Sequence, residues 1–416
     1  MKLGRWIRRI ALWAGILAAV VVLTLGAFLT IDLGPWFRTQ AEQRGSKLIG
    51  RPMHIGTLGI RLRSGAFVVE DLSIEGLTPA DHPFFTAKRI EVSLHWWTFF
   101  GTREVLIKSI DMSDWAMQVE MKDGHDSFID TSKFKGKPGE TRSYTVTLEL
   151  VHAYRGSFTY IDHGTWRTVA PNLDIIVRHP PGGEYQGRAQ FSNGTVAIKE
   201  KDYLPFRSDM RCAFRLDGGK IHLNWIDLTT DGSHSVLTGD VDFGHWPEML
   251  YRVRTDHVDF PRMREIFFPR EKFRLTGDGR FNGTFHLYRG GRELKGAFSS
   301  PLMTLNEFRF PDLSGDLRWL PDRFDVTNGR ARFHGGTGHF TYSMAPIGAP
   351  QPAVARFDTA YENVDLAGLS DFLKTKGLRL SGRASGRNIL EWPLGRFSEH
   401  HGEGEIAVQP PPDAPL

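Results

Sequence analysis

The stretch "MRCAFRLDGGKIHLNWIDLTTDGSHSVLTGDVDF", Met210–Phe243, contains the pattern that decides the fold. Apolar and polar residues alternate along its first part, Met210–Asp217, and again along its last part, Leu237–Phe243. An apolar residue at every second position places the apolar side chains on one face of a β-strand. Asp217-Gly218 and Asp231-Gly232 have the composition of tight hairpin turns. The stretch therefore predicts antiparallel strands with one apolar face and one polar face.

The same period of two begins at Met53 and continues nearly to the end of the chain, in short segments bounded by Gly, Pro or Asp. Four more pairs of hairpin composition occur between or within these segments: Asp123-Gly124, Asn193-Gly194, Asn282-Gly283 and Asn328-Gly329. Many short strands with frequent turn signals predict a mainly β fold built on antiparallel sheet.

Two packings of such strands remain open at this point. The apolar faces can meet in a closed sandwich core, which is the commoner arrangement and which alternation alone favours. Alternatively, one long curved sheet can turn its apolar face into an open groove. The candidates to line such a groove are the apolar residues of three well-alternating strands: Met210, Phe214, Leu216, Leu237, Val241, Phe243, Phe281, Phe285 and Leu287.

One sequence pattern occurs twice. "VDFPRMREIFFPREKFRLTGDGRFNG", Val258–Gly283, is followed about 105 residues later by "VDLAGLSDFLKTKGLRLSGRASG", Val364–Gly386. In each copy an aspartate, Asp259 or Asp365, is placed to cap a short helix, and a strand follows. The spacing is too long for a solenoid repeat and predicts β-modules added end to end with a short helix at each junction.

The N-terminus predicts a membrane anchor. The 22 residues Ile10–Ile31 contain no charged side chain and, as a helix of about 33 Å, would cross a bilayer core. Four cations precede them, Lys2, Arg5, Arg8 and Arg9, which places the N-terminus in the cytoplasm. A cleaved signal peptide is the alternative, but its apolar segment usually has only about 7–15 residues.

Composition narrows the functional class. The net charge of +4 is small for 416 residues and forms no dense basic stripe in the folded part, which argues against nucleic-acid binding. Cys212 is the only cysteine, so neither an intrachain disulfide nor a cysteine-based zinc site is possible. No nucleotide-binding loop, G-x-S-x-G elbow or H-E-x-x-H motif occurs, and no cofactor is predicted.

Two groups of polar residues have side chains that could bind a metal ion or catalyse a reaction. Four histidines recur every eleven or twelve residues: His222, His234, His245 and His257. Asp114 with Glu120, or Asp240 with Asp242, has the residue types of a glycosidase pair. On strands, these side chains are more simply explained as a solvated polar face, so no catalytic or metal-binding residue is predicted.

Several segments together resemble the AsmA family of envelope proteins. They are "LIGRPMHIG", "DLSIEGLTPADHPFFTAKRIEVSL" and "IKSIDMSDWAMQVE" after the apolar N-terminus, and "VDLAGLSDFLKTKGLRLSGRASG" with "HGEGEIAV" near the end. The resemblance implies a single anchor in the inner membrane of a Gram-negative cell. It also implies a periplasmic, taco-like β-groove that shields phospholipid acyl chains and supports outer-membrane biogenesis, without catalytic residues.

These observations lead to a mainly β chain with an N-terminal transmembrane helix and an elongated, repeated antiparallel sheet that forms an open apolar groove. The expected function is to shield or convey phospholipid between the two membranes. A periplasmic scaffold that helps assemble outer-membrane or secreted proteins is the alternative, and a glycan hydrolase is a third. The predicted segments are a cytoplasmic tail (1–9), the membrane helix (10–31), an N-terminal module (32–130), three β-modules (143–250, 251–345 and 354–408) and a Pro-rich tail (409–416).

Overall fold

The computed structural model describes residues 31–32, 34–61, 65–78, 80–95, 104–122, 125–129, 145–163, 166–198, 204–217, 220–245, 248–269, 273–347, 349–373 and 380–411. The predicted mainly β class is confirmed: these residues form a long, mostly antiparallel sheet with few helices. The contacts divide the chain into two units, one made of residues 1–163 and 168–192, the other of residues 164–167 and 193–416.

The first unit begins with one helix and a series of strands. The helix is α1 (Gly34–Ile49). The strands, of which β10 and β11 continue across the boundary between the units, are β1 (Ile31–Asp32), β2 (Met53–His54), β3 (Thr57–Arg61), β4 (Ala66–Ile74), β5 (Phe85–Leu94), β6 (Glu104–Lys122), β7 (His125–Asp126), β8 (Thr145–Leu148), β9 (Leu150–Asp162), β10 (Trp166–Arg178) and β11 (Tyr185–Ile198).

Strands β3, β4, β5 and β6 pair antiparallel in sequence order. Strand β6 then pairs parallel with β8 and β9. A fully buried Val119 and a nearly buried Trp115 come from β6. The Trp115 ring lies so close to Gly156 of β9 that a Cβ atom there would come within 2.0 Å of Cε2. Glycine at position 156 is therefore required for the parallel pair.

The second unit contains the stretch from Met210 to Phe243 and the two repeated segments. Its helices are α2 (Phe260–Phe267) and α3 (Leu366–Leu373). Its complete strands are β12 (Phe206–Asp217), β13 (Lys220–Thr230), β14 (Ser233–Asp242), β15 (Glu248–Asp259), β16 (Leu275–Tyr288), β17 (Gly291–Leu305), β18 (Phe308–Trp319), β19 (Phe324–Phe333), β20 (Gly336–Ala345), β21 (Val354–Asp365), β22 (Arg383–Pro393) and β23 (His401–Gln409).

Every strand from β12 to β23 pairs antiparallel with the next strand in the sequence. The predicted module boundary between residues 250 and 251 falls inside β15, which pairs with β14 on one side and β16 on the other. The hydrogen bonding therefore continues through this strand from β14 to β16.

The two copies of the repeated pattern adopt the same local structure. Asp259 accepts a hydrogen bond from the Arg262 N–H (3.0 Å) at the start of α2, and Asp365 accepts from the N–H groups of Ala367 and Gly368 (3.2 Å each) at the start of α3. Both predicted helix caps are thus confirmed.

The strand after each helix also begins in the same way. Gly277 (φ +108°) and Gly382 (φ +109°) are left-handed, and a Cβ atom on them would lie 2.2 Å from the Leu302 carbonyl oxygen and 2.3 Å from that of Gln409. Only glycine fits both positions. The repeat is therefore a structural unit of helix, glycine and strand. In both copies the glycine has the same backbone conformation and approaches a carbonyl oxygen of the neighbouring strand equally closely.

Three of the predicted hairpin turns are wrong. Asn193-Gly194, Asn282-Gly283 and Asn328-Gly329 lie inside β11, β16 and β19. Asn193 and Asn328 have φ values of +59° and +53°, and the pairing register shifts between Val326 and Gly329. An asparagine in the left-handed region accommodates a β-bulge as readily as a turn, which the dipeptide alone does not distinguish. Asp231-Gly232 does form the turn between β13 and β14, whereas Asp123-Gly124 lies outside the described residues.

The predicted transmembrane helix lies outside the described residues, except that Ile31 belongs to β1. The cations Lys2, Arg5, Arg8 and Arg9 lie outside them as well. Within the part of the chain that the structure describes, no helix is long and apolar enough to cross a membrane.

Candidate functional site

One face of the β12–β23 sheet carries apolar side chains in rows that cross the strands. Because directly paired residues in antiparallel strands point to the same face, the register identifies each row. The central row crosses all twelve strands without a charged residue and consists of Cys212, Ile226, Leu237, Val253, Gly283, Gly296, Leu317, Val326, Tyr342, Phe357, Leu390 and Gly402. With about 4.8 Å between strands, it is about 50 Å long across the sheet.

A second row runs beside the central row. This aromatic row crosses β12 to β22, and every position in it is apolar or glycine: Phe214, Leu223, Gly239, Tyr251, Phe285, Leu294, Trp319, Phe324, Met344, Ala355 and Trp392. A third row is shorter and ends at the charged Arg292 after Leu216, Ile221, Val241, Met249 and Leu287. We refer to the side of the sheet that carries these rows as the apolar face.

Aromatic rings on the apolar face cover glycines of the paired strand. Phe298 pairs with Gly315, Phe340 with Gly329, and Tyr361 with Gly386. A Cβ atom on these glycines would lie 3.0, 2.5 and 2.8 Å from the respective ring or its hydroxyl. The bare glycine backbone therefore lets each side chain approach the neighbouring strand closely and keeps the apolar surface continuous where a side chain is missing.

Helix α2 packs over part of this face. The Phe260 ring lies against Gly279 of β16, where a Cβ atom would come within 2.6 Å of Cζ, and Ile266 is completely buried. The Phe267 ring meets Trp319 of the aromatic row edge to face, with 5.2 Å between ring centres. From there, ring contacts of 6.0 to 6.4 Å continue along the face through Phe324, Tyr342 and Trp392.

The nine residues predicted to line a groove were drawn from three strands. Eight of them lie on the apolar face: Met210, Phe214, Leu216, Leu237, Val241, Phe281, Phe285 and Leu287. Phe243 begins a short 3-10 helix, Phe243–His245, and its side chain lies outside the description. The sequence reasoning missed the part of the face between β17 and β22, including Leu294, Trp319 and Trp392, because bulges and glycines interrupt the alternation there.

Burial along the face is uneven. Phe214, Val241 and Phe281 are 7 to 9% exposed. Other large residues of the central and aromatic rows are only partly covered: Tyr251, Phe285, Leu294, Trp319, Phe324, Tyr342, Phe357, Leu390 and Trp392. A closed sandwich would bury the large side chains at the middle of its core as completely as the small ones. The partial exposure of these aromatic and aliphatic groups is the pattern of a face that is covered only in part.

The surroundings of the face have a low polarity. Burial raises the pKa of Tyr342 to about 12 and also raises the pKa of Tyr251, because the charged phenolate is poorly solvated there. Among the described residues, the Tyr251 hydroxyl has only a weak acceptor, the Met249 sulfur at 3.3 Å. These two phenols are thus held in a poorly solvated environment.

The opposite face of the sheet carries polar residues, and we call it the charged face. Directly paired positions form rows across the strands here as well. One of its rows crosses β14 to β23: Thr238, Arg252, Thr284, Lys295, Arg318, Asp325, Ser343, Arg356, Glu391 and His401. Charges of opposite sign pair across the strands, for example Arg318 Nε with Glu293 Oε1 (2.7 Å) and Arg387 Nη2 with Asp358 Oδ2 (2.6 Å). The sheet therefore separates an apolar side from an ionic side.

Three of the four histidines that recur along the chain have ion-pair partners. His222, His234 and His245 lie 2.5, 3.0 and 3.2 Å from the carboxylates of Asp240, Asp227 and Asp242. Within the described residues, no group of three or more His, Cys, Asp or Glu side chains is arranged to hold a metal ion.

The carboxylates considered for glycoside chemistry are similarly engaged. Arg155 donates two hydrogen bonds to Asp114 and holds the pKa of that carboxyl below its usual value. The hydrogen bond from His245 is the largest of several that lower the pKa of Asp242 to about 2. A glycosidase general acid needs a raised pKa instead, so both carboxylates have the electrostatics of ion-pair partners.

Comparison with known proteins finds no relative of the chain. No protein-family profile, no curated protein and no solved structure matches the chain.

Proposed function

We propose that this protein is a non-enzymatic envelope protein whose apolar face shields or conveys the acyl chains of phospholipids. The observation that carries the proposal is the aromatic row: eleven successive strands contribute no charged or polar residue except the phenol of Tyr251. The charged face of the same sheet differs in this respect, because its row from Thr238 to His401 consists of polar residues.

Exposure of an acyl chain to water is costly. A buried CH₂ group is stabilised by roughly 0.8 kcal/mol, so an acyl chain of about sixteen carbons would cost on the order of 12 kcal/mol to expose to water. A continuous apolar surface removes most of this cost, and a single charged residue in the path would restore part of it. The central and aromatic rows contain no such residue over eleven or more strands.

The setting of this function follows from the sequence features. An apolar N-terminal segment preceded by four cations and the resemblance to the AsmA family support an inner-membrane anchor with the bulk of the chain in the periplasm. The lipid would then be a phospholipid on its way between the inner and outer membranes, and outer-membrane assembly proteins are the natural partners.

The test uses two leucines on opposite faces of the same sheet. Leu294 lies in the aromatic row and is partly exposed, whereas Leu250 lies on the charged face and is 50% exposed. Full-length wild type, Leu294→Asp and Leu250→Asp are purified in the same detergent, and the co-purifying phospholipid per chain is measured by mass spectrometry. Thermal melts establish that both variants are folded.

The expected result is phospholipid in the wild type and in Leu250→Asp, and about tenfold less in Leu294→Asp, because a carboxylate facing acyl chains costs more than 1.4 kcal/mol. A folded wild type without phospholipid, or equal losses in the two variants, would refute the proposal.

A second function has one observation in its favour. All residues of β23 are exposed, including Ile406 (58%) and Val408 (51%), and within the described residues β23 pairs only with β22. A free edge of this kind can bind a polypeptide as an added strand, as an assembly scaffold would. In that case Ile406→Pro, which removes an edge N–H, should abolish assembly of client proteins while the phospholipid content stays unchanged.

A further inference from the structure

The junction between α2 and β16 contains a cleft of about 350 Å³. One wall is the helix, with Pro261, Arg264 and Glu265, and the other is the chain that leads into β16, with Phe273 and Arg274 followed by Leu275 and Thr276. The cleft thus combines two guanidinium groups and a hydroxyl with apolar and aromatic surface.

Arg264 is the residue in this cleft that ordinary packing does not explain. Its Nε atom is buried and has no hydrogen-bond partner among the described residues, while the guanidinium lies over the Phe273 ring, 5.5 Å from the centre. A buried donor without an acceptor costs about 1–3 kcal/mol. An anion in the cleft would not reach this buried Nε, but it would accept from the terminal N–H groups of the same guanidinium, whose planar shape suits the oxygens of a phosphate group.

The charge balance of the cleft also favours an anion. Among the described residues that line the cleft, Glu265 is the one acidic side chain, and it already accepts a hydrogen bond from Arg262 (2.9 Å), which in turn reaches Asp231 (3.1 Å). Both carboxylates are thus already engaged. Within the described part of the chain, neither Arg264 nor Arg274 forms an ion pair, and both line the cleft.

The second copy of the repeat shows that a helix at this position does not need an arginine. The fifth residue of α2 is Arg264, and the fifth residue of α3 is Ser370. Ser370 is buried and accepts a hydrogen bond from the Leu380 N–H (3.2 Å). The corresponding position in α3 is therefore satisfied by the protein itself, whereas in α2 it presents a cation to the cleft.

Aromatic contacts connect the cleft with the apolar face. Phe273 meets Phe268 (5.6 Å between ring centres), and the residue before Phe268, Phe267 at the end of α2, meets Trp319 of the aromatic row (5.2 Å). A ligand with a phosphate at one end and an apolar chain at the other would find complementary surface for both parts.

We propose that this cleft binds the phosphate of a phospholipid headgroup, with Arg264 and Arg274 as its ligands and Thr276 as an additional hydrogen-bond donor. The inference rests on the proposed function, since it assigns the headgroup of a lipid whose acyl chains lie on the apolar face.

The test compares two fluorescent lipids that share the same labelled acyl chain. One is NBD-labelled phosphatidylglycerol, and the other is NBD-labelled diacylglycerol, which has no phosphate. Both are titrated against the full chain in a non-ionic detergent, as wild type, as Arg264→Gln/Arg274→Gln and as Arg254→Gln. Arg254 is an exposed arginine on the other side of the same sheet, so its variant is the matched control.

Wild type should bind the phosphatidylglycerol probe about tenfold more tightly than the diacylglycerol probe, the effect of charge-assisted hydrogen bonds. The double variant should lose that difference and keep its affinity for diacylglycerol, and Arg254→Gln should behave like wild type. Equal melting temperatures of the three proteins would show that the loss is local.

Different outcomes would refute the headgroup site, the proposed function or the lipid assignment. If wild type binds both probes equally, or the double variant loses no more than Arg254→Gln, the headgroup site is refuted while the acyl-binding face stands. If wild type binds neither probe, the proposed function itself fails. If millimolar glycerol 3-phosphate displaces the phosphatidylglycerol probe completely, the cleft binds a free phosphoester and the lipid assignment is wrong.

Discussion

The two faces of the β12–β23 sheet are made by the same strands yet are held together in different ways. On the apolar face, glycines and rings fit each other closely, as where Phe298 covers Gly315. On the charged face, long side chains such as Arg318 and Arg356 pair across the strands while remaining about half exposed. Close packing tolerates little change, whereas solvated ion pairs contribute little stability. Substitutions should therefore have far larger effects on one side of each strand than on the other.

The largest effect is expected at Gly239 of the aromatic row. A Cβ atom there would lie 2.0 Å from the Leu250 carbonyl oxygen and 2.9 Å from the Tyr251 Cα, so Gly239→Val must push two strands apart. We expect a loss of more than about 3 kcal/mol in the free energy of unfolding, measured by urea denaturation.

The matched control is its neighbour on the charged face. Thr238→Val should change the free energy of unfolding by less than about 0.5 kcal/mol, because the side chain is exposed. If both variants were equally stable, the backbone approach at Gly239 would not be as close as the structure has it.

Removal of a ring from the apolar face should have the next largest effect. Phe298→Ala uncovers Gly315 and leaves Phe281 without its cross-strand partner. We expect a loss of about 2–4 kcal/mol, read from the same denaturation experiment. Lys295→Ala, on the charged face of the same strand, is the control and should be nearly neutral; a comparable loss there would contradict the asymmetry of the faces.

A smaller, pH-dependent effect is expected where α2 is tied to the turn between β13 and β14. The Arg207 backbone N–H, and after it the Arg262 side chain, hold the pKa of Asp231 below its ordinary value. A lowered carboxyl pKa stabilises the fold above the unfolded-state pKa of about 3.9, and that stabilisation is lost as the pH falls below it.

Asp231→Asn should therefore cost about 1 kcal/mol at neutral pH and progressively less in acid. Melting temperatures of both proteins across this pH range are the measurement. A difference that grows in acid would reverse the sign and contradict the assignment.

The smallest effect is expected for an ion pair of the charged face. Arg318→Gln removes the contact between Arg318 Nε and Glu293 Oε1 (2.7 Å), but the arginine side chain is 58% exposed. A loss of about 0.5 kcal/mol, and less at high salt, is expected in urea denaturation. A loss as large as that of Phe298→Ala would mean that the charged face contributes as much to the fold as the apolar one.

Local patterns predicted a large part of this structure. The alternation in Met210–Asp217 and in Leu237–Asp242 correctly assigned the strands and the direction of their side chains, although Phe243, predicted to continue the second strand, begins a 3-10 helix. Asp259 and Asp365 do cap short helices. These features depend on neighbouring residues alone. The same is true of Asp231-Gly232, which forms a turn, but Asn328-Gly329 has the same local chemistry and lies in a bulge.

The rest depends on pairing between strands that are distant in the sequence. The continuity of the apolar rows follows from the register of twelve strands, which no single strand determines. Bulges shift that register, as between Thr255 and Val258 or between Val326 and Gly329, and they require left-handed residues that resemble turns in the sequence. The cleft at Arg264 was missed for a similar reason, since it requires knowing that α2 folds back onto the sheet.

The repeat also determines how far each added copy lengthens the sheet. Between Asp259 and Asp365 the chain completes six strands, β16 to β21, before the same capped helix begins again. At about 4.8 Å per strand, each copy extends the sheet by about 29 Å. A chain built in this way changes length in fixed steps rather than continuously: one added or deleted copy moves everything beyond it by about the thickness of a bilayer's hydrocarbon layer, roughly 30 Å. The number of copies would then act as a ruler for the distance that the sheet spans.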